Sequence, residues 1–125
     1  MNRQQVFDFA KQQYGTIPDY PWKDQNAVLR HTDNKWYAIV LKVGRDKLGL
    51  EGGEIIDVIN LKCDPFLIGS LRAQKGFHPA YHMNKEKWIS IRLDGSVPEE
   101  QIRHLIDLSF ELTRSKTKKR KRTEV

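Results

Sequence analysis

Hydrophobic positions along this chain switch period several times, and each switch marks an element. Val6, Ala10 and Tyr14 recur at helical spacing, with Phe9 near the stripe and Phe7 beside it, which predicts a helix over 3–14. Asn2 caps its start and Gln5 completes a capping box, while Gly15 suits a left-handed stop. The run from Ile17 to Trp22 holds two prolines, so it is an extended connector. A short strand over 27–31 follows, then a polar turn over 32–35. A second strand spans 36–43, rich in β-branched and aromatic residues.

Residues 44–53 carry four glycines and mixed charges, and are expected to form an exposed loop. Residues 54–62 form a third strand. Asp64 and Pro65 open a second helix as cap and first-turn proline. Leu67, Ile68 and Leu71 form its buried stripe, and Gly76 ends it. Residues 88–93 alternate, with Trp88, Ser90 and Arg92 on one face and Ile89, Ile91 and Leu93 on the other. After the Asp94-Gly95 turn, Ser96 and Glu99 are expected to box the start of a third helix. Its apolar side holds Ile102, Leu105, Ile106, Phe110 and Leu112. The order α-β-β-β-α-β-α, with hairpin-length turns, implies an α+β domain: an antiparallel β-sheet covered by helices.

Charge changes this picture at one end only. The chain has 22 Lys and Arg against 16 Asp and Glu, a net +6. Residues 113–125 hold seven of the cations and one acid, so residues 1–112 balance at fifteen of each. The expected organisation is a single domain over 1–112 and a basic, flexible tail over 113–125. Its Lys118, Lys119, Arg120, Lys121 and Arg122 would release counterions from a nucleic acid almost regardless of sequence. One cysteine, Cys63, fits a reducing cytosol and excludes an internal disulfide. No apolar run approaches the ~20 residues that span a bilayer, and no apolar signal region follows the N-terminus.

The chemistry-bearing segment is 79–88, Pro-Ala-Tyr-His-Met-Asn-Lys-Glu-Lys-Trp. Its Tyr81, His82, Asn84, Lys85, Lys87 and Trp88 stack, donate hydrogen bonds or carry positive charge, which suits phosphate and base contacts. A purely structural reading stands beside this one: Tyr81, Met83 and Trp88 pack on the core while His82 and Asn84 bond loop backbone. Lys62, Arg72 and Lys75 bracket the second helix as a cationic rim, although Arg72 and Lys75 also complement its C-terminal dipole. Lys42, Arg45 and Lys47 would make a basic hairpin tip, diluted by Asp46, Glu51 and Glu54.

Catalytic signatures are missing. There is no phosphate-binding glycine loop, no set of paired carboxylates and no CxxC partner for Cys63. Cys63 beside a helix start is expected to be inert core. His78 and His82 are separated by Pro79, against a helical metal pair. Neither a cofactor nor a metal is expected, and no enzyme activity.

The string Asn60-Leu61-Lys62-Cys63-Asp64-Pro65, then Leu71-Arg72, Pro79 to Lys85 and Trp88-Ile89, resembles the MmcQ/YjbR family. Trp22 and Leu93-Asp94-Gly95 agree with it, and the resemblance covers about residues 1–112. It implies a bacterial, cytoplasmic domain of frataxin/CyaY-like fold with a double-wing DNA-binding arrangement. Lys62, Arg72, Tyr81, His82, Asn84, Lys85 and Trp88 are pattern positions, and no catalytic residue comes with them. The expectation is a monomeric, non-enzymatic DNA-binding protein of low sequence specificity. The alternatives are a protein-interaction module built on the same aromatics, or a small-molecule or metal sensor. The mark of such a sensor would be a deep pocket lined by Tyr37, Tyr81 and His82.

Overall fold

The capping chemistry at the N-terminus sets the first element of the structure, a computed structural model describing residues 1–115. Helix α1 (Arg3–Tyr14) starts with the expected box: the Gln5 amide donates to Asn2 Oδ1 at 2.9 Å and the Asn2 amide to Gln5 Oε1 at 2.8 Å. Gly15 closes it with φ of 71°. Strands β1 (Ala27–Arg30), β2 (Trp36–Gly44) and β3 (Ile55–Lys62) follow, with a one-turn 3-10 helix at Arg45–Leu48. Helix α2 (Pro65–Arg72) leads to β4 (Phe77–Pro79) and β5 (Trp88–Arg92), and α3 (Glu99–Thr113) ends the described chain.

The sheet is five-stranded, ordered β1-β2-β3-β5-β4, with antiparallel neighbours throughout. The α+β class and antiparallel sheet agree with the sequence reading. The element order gains a strand, because β4 is only three residues long and carries no periodic signal. It sits at the sheet edge, where Pro79 costs no ladder bond.

Strand alternation gives the sheet two unlike faces. Leu29, Val40, Ile59, Leu61, Ile89 and Ile91 point one way and pack with Val6 and Ala10 of α1, Ile68 and Leu71 of α2, and Ile102, Leu105 and Ile106 of α3. That places all three α-helices on one core. The opposite face carries Ile39, Asn60, Ser90 and His78 in one row across the strands.

Three local expectations need correction. Ser96 does not cap α3: its Oγ donates to Asp94 Oδ1 inside the preceding turn, Pro98 is the cap, and Glu99 pairs with Arg103 at 2.7 Å. Leu67 is 42% exposed, because the short α2 buries only Ile68 and Leu71. Leu112 is exposed and Thr113 is buried in its place. Thr113 Oγ1 lies 2.7 Å from His31 Nε2, which ties the end of α3 to the turn after β1.

Candidate nucleic-acid interface on the helix-free face

A bulge in β2 sets up the site. Leu29 pairs with Ala38 but Arg30 pairs with Trp36, so Tyr37 is the extra residue. Tyr37 and Ala38 both enter the core, and Trp36 emerges 38% exposed. A bulge re-aims side chains in this way. Trp36 meets Trp22 of the proline-rich connector edge to face, with centroids 5.7 Å apart and planes at 87°.

These two tryptophans, Ile39, Leu41, Tyr81 and His82 line a hollow of about 460 Å³, with Asn60 also in its wall. The 81–82 wall is held rigidly. Ser90 Oγ accepts from the Tyr81 amide at 2.9 Å and donates to Asn60 Oδ1, whose amide donates to the Tyr81 carbonyl at 2.9 Å. Both backbone groups of Tyr81 are thereby fixed by two buried side chains on neighbouring strands. His82 follows in the left-handed region with φ of 57°, a conformation uncommon outside glycine. Its ring lies 4.0 Å from that of Tyr81.

A second hollow of about 460 Å³ adjoins the first, since Trp36 lines both. Its other walls are Lys35, Lys62, Trp88, Leu112, Thr113 and Arg114. Lys62 is placed by Ser109, whose hydroxyl accepts from the Lys62 amide at 2.9 Å and donates to the Tyr37 carbonyl at 2.6 Å. Ser109 thus bridges β2 and β3 just where their ladder stops. Among the described residues neither Lys35 nor Lys62 forms an ion pair, and no carboxylate lines this hollow. Arg114 is tied to Glu111 at 3.1 Å.

The expected site residues therefore separate. Lys62 and Trp88 share the cationic hollow, while Tyr81 and His82 line the aromatic one. Lys85 is a loop staple, with Nζ donating to the Ala80 carbonyl at 2.9 Å. Asn84 Oδ1 accepts from the Glu86 amide at 2.8 Å, so it too bonds within the loop. Lys87 is exposed at the loop end. Arg72 and Lys75 are exposed at the far end of α2 from Lys62, so the three do not form one rim. Near the end of β2 Lys42 pairs with Asp57 at 3.0 Å, and in the following 3-10 turn Arg45 Nε donates to the Glu51 carbonyl, so two of the three cations of the expected basic tip are engaged internally. Lys118, Lys119, Arg120, Lys121 and Arg122 lie outside the described residues.

Tyr37 is fully buried under α3 and does not join Tyr81 and His82. Cys63 is buried, and desolvation pushes its thiol pKa up, away from the reactive thiolate. Among the described residues no cluster of three or more His, Cys, Asp or Glu is placed to hold a metal, and no helix is long and apolar enough to cross a membrane. Sequence reasoning missed Lys35, Trp36 and Arg114. Trp36 looked like an ordinary strand residue because the bulge that turns it outward has no sequence signature.

Comparison with known proteins places this geometry in a family. The chain is 47% identical over 117 residues to YyaQ of Bacillus subtilis (strain 168), an uncharacterized protein, covering 91% of this chain and 99% of that one. It is 37% identical over 81 residues to the uncharacterized YjbR of Escherichia coli (strain K12), covering 62% of this chain and 68% of that one. A Pseudomonas syringae crystal structure matches with a TM-score of 0.89 and 49% identity, covering 91% of this chain and all of that one. A Deinococcus radiodurans structure shares the fold at 22% identity and a TM-score of 0.71, covering 93% of this chain and 80% of that one. The model of the YjbR family matches residues 11–112, most of the described chain, and the chain belongs to that family.

Proposed function

We propose that this protein is a non-enzymatic, monomeric DNA-binding protein of low sequence specificity, acting in the cytoplasm. The observation that carries the reading is the convergence of Lys35 and Lys62, which form no ion pair among the described residues, with Trp36 and Trp88 in one open hollow that Arg114, paired with Glu111, also borders. Unpaired ammonium groups beside aromatic faces suit a phosphate backbone. The chain runs from this hollow, through Ser115, into the basic run at 116–122, so body and tail would offer charge to the same strand. This reading keeps the frataxin-like class for the fold. It moves the contact from the tips of a double wing, where Lys42 and Arg45 are engaged internally, to the end of the sheet.

The test is fluorescence anisotropy with a labelled random-sequence duplex across a salt series. Three proteins are compared: the full chain, a chain ending at Ser115, and the Lys35→Ala/Lys62→Ala variant. The variant is expected to flatten the salt slope by roughly one unit per lysine. The chain ending at Ser115 is expected to retain a measurable slope. Binding that vanishes with the tail would remove the body from the interface.

A protein-interaction module is the second reading, favoured by Phe66, which is 95% exposed on α2 beside the half-exposed Leu67. Under it, Phe66→Ala would abolish capture of a partner whose binding is insensitive to salt.

A further inference from the structure

The two hollows differ in chemistry although they share Trp36. The chain has three tryptophans, and every one lines a hollow on this side: Trp22 and Trp36 the first, Trp36 and Trp88 the second. Trp22 and Trp36 are 48% and 38% exposed, so the side chains with the largest apolar surface are left half in water. Of these two hollows only the second is lined by lysines that form no ion pair among the described residues. The first is walled by Ile39, Leu41 and Met83, and the carboxylate of Asp24 stands at it. Asp24 is held there by accepting from the Asn26 amide at 2.8 Å. Its one cation, Lys42, is committed to Asp57 at 3.0 Å. A phosphate would be repelled from this hollow, whereas a flat, uncharged ring would be accepted.

Resting on the DNA-binding reading above, we infer that the strand bound is single, with its backbone along Lys35 and Lys62 and an unstacked base seated between Trp22, Trp36 and the Tyr81–His82 wall. In a duplex the base faces are hidden in the stack and only their edges are presented in the grooves. A duplex therefore has nothing to place between aromatic faces. A single strand offers a π-face at every nucleotide and a backbone for the adjoining lysines. The volume of about 460 Å³ falls within the range of sites that enclose a small organic group. The Asn60–Ser90–Tyr81 bonds pre-form the wall, so little ordering is needed on binding. Sequence preference would be weak, because stacking accepts any base.

The experiment uses the full chain with a labelled mixed-sequence single-stranded DNA, the same sequence as a duplex, and adenosine monophosphate as a free nucleotide. Anisotropy is read at several salt concentrations, and tryptophan fluorescence is read alongside. The single strand is expected to bind more tightly than the duplex and to quench tryptophan emission. Trp22→Ala should weaken single-strand binding roughly tenfold, the effect of one lost base–aromatic stack, while leaving duplex binding and the salt slope in place. Trp22→Phe should recover most of that loss, which separates stacking from a folding defect. If the duplex binds with a salt slope that depends on Lys35 and Lys62, yet Trp22→Ala leaves single-strand affinity unchanged, the single-strand inference is overturned and the DNA reading survives. If neither nucleic acid binds, both are overturned. If adenosine monophosphate binds as tightly as the strand and Lys35→Ala/Lys62→Ala changes nothing, the hollow belongs to a free nucleotide and the inference again fails.

Discussion

The two faces of this sheet are made by the same strands, yet they are built on different principles. On the helix side Ile59, Leu61, Ile89 and Ile91 lie beneath three helices in a continuous apolar layer. On the other side the row through Ile39, Asn60, Ser90 and His78 mixes polar with apolar groups and is covered by loops, half-exposed tryptophans and the short 3-10 helix, whose Leu48 stands beside His78. The first face holds its elements by area removed from water alone; the second also buries Val28, Ile39, Val43 and Val58, but adds directed hydrogen bonds through Asn60 and Ser90. Burial tolerates no gap but asks little of direction, whereas the bonded face can leave hollows open and still be rigid. A binding surface is accordingly expected on the second face, and damage to either face should have a distinct signature.

The largest effect should come from the apolar side. Ile91→Ala removes a fully buried side chain from the centre of the core and is expected to cost about 2–5 kcal/mol. Leu41→Ala, on the half-covered face, should cost a small fraction of that, because its side chain already borders the open hollow. Urea denaturation of both variants checks the contrast. Equal losses would mean that the helix-free face is packed as tightly as the other.

Asn60→Ala should come next, at about 1–3 kcal/mol, because it strands the Tyr81 carbonyl and leaves the Ser90 hydroxyl without its acceptor. The sharper readout is local. Amide exchange across 80–87 should accelerate far more than across β3 or α3, since the loop hangs on that triangle of bonds. Uniform acceleration would assign Asn60 to global stability alone.

The helix side was legible in the sequence because burial repeats: α1, its capping box, the α2 cap and the β5 alternation all follow from period and local chemistry. The other face was legible only as a list of residue types. Tyr81, His82, Lys62 and Trp88 were named, but their division between two hollows depends on strand pairing that brings Asn60 opposite Ser90. Lys85, read as a contact, also staples its loop, which the sequence did not reveal, since a lysine reaching a carbonyl five residues back looks like any surface lysine. Trp36 depended on a one-residue register shift.

The smallest effect concerns protons on the polar face. His78 lies on β4 opposite Ser90, and burial together with the Arg92 guanidinium holds its pKa below the ordinary histidine value, against the opposing pull of Asp94. Below the unfolded value of about 6.5 the unfolded chain takes up this proton while the folded chain does not. The unfolded state then binds more protons, so stability rises with pH across that interval and falls as the solution is acidified through it. The loss stops growing once the pH drops below the folded value, where both states are protonated. His78→Gln abolishes this component and leaves His31, His82 and His104 as they were. Urea midpoints at pH about 7.5 and about 5.5, on either side of the unfolded value, should therefore differ less in the variant than in the parent protein. An equal difference would show that the proton is taken up elsewhere. Because Arg92 and Asp94 themselves pair at 3.2 Å, Asp94→Asn should deepen the acid loss in the parent by removing the charge that offsets Arg92.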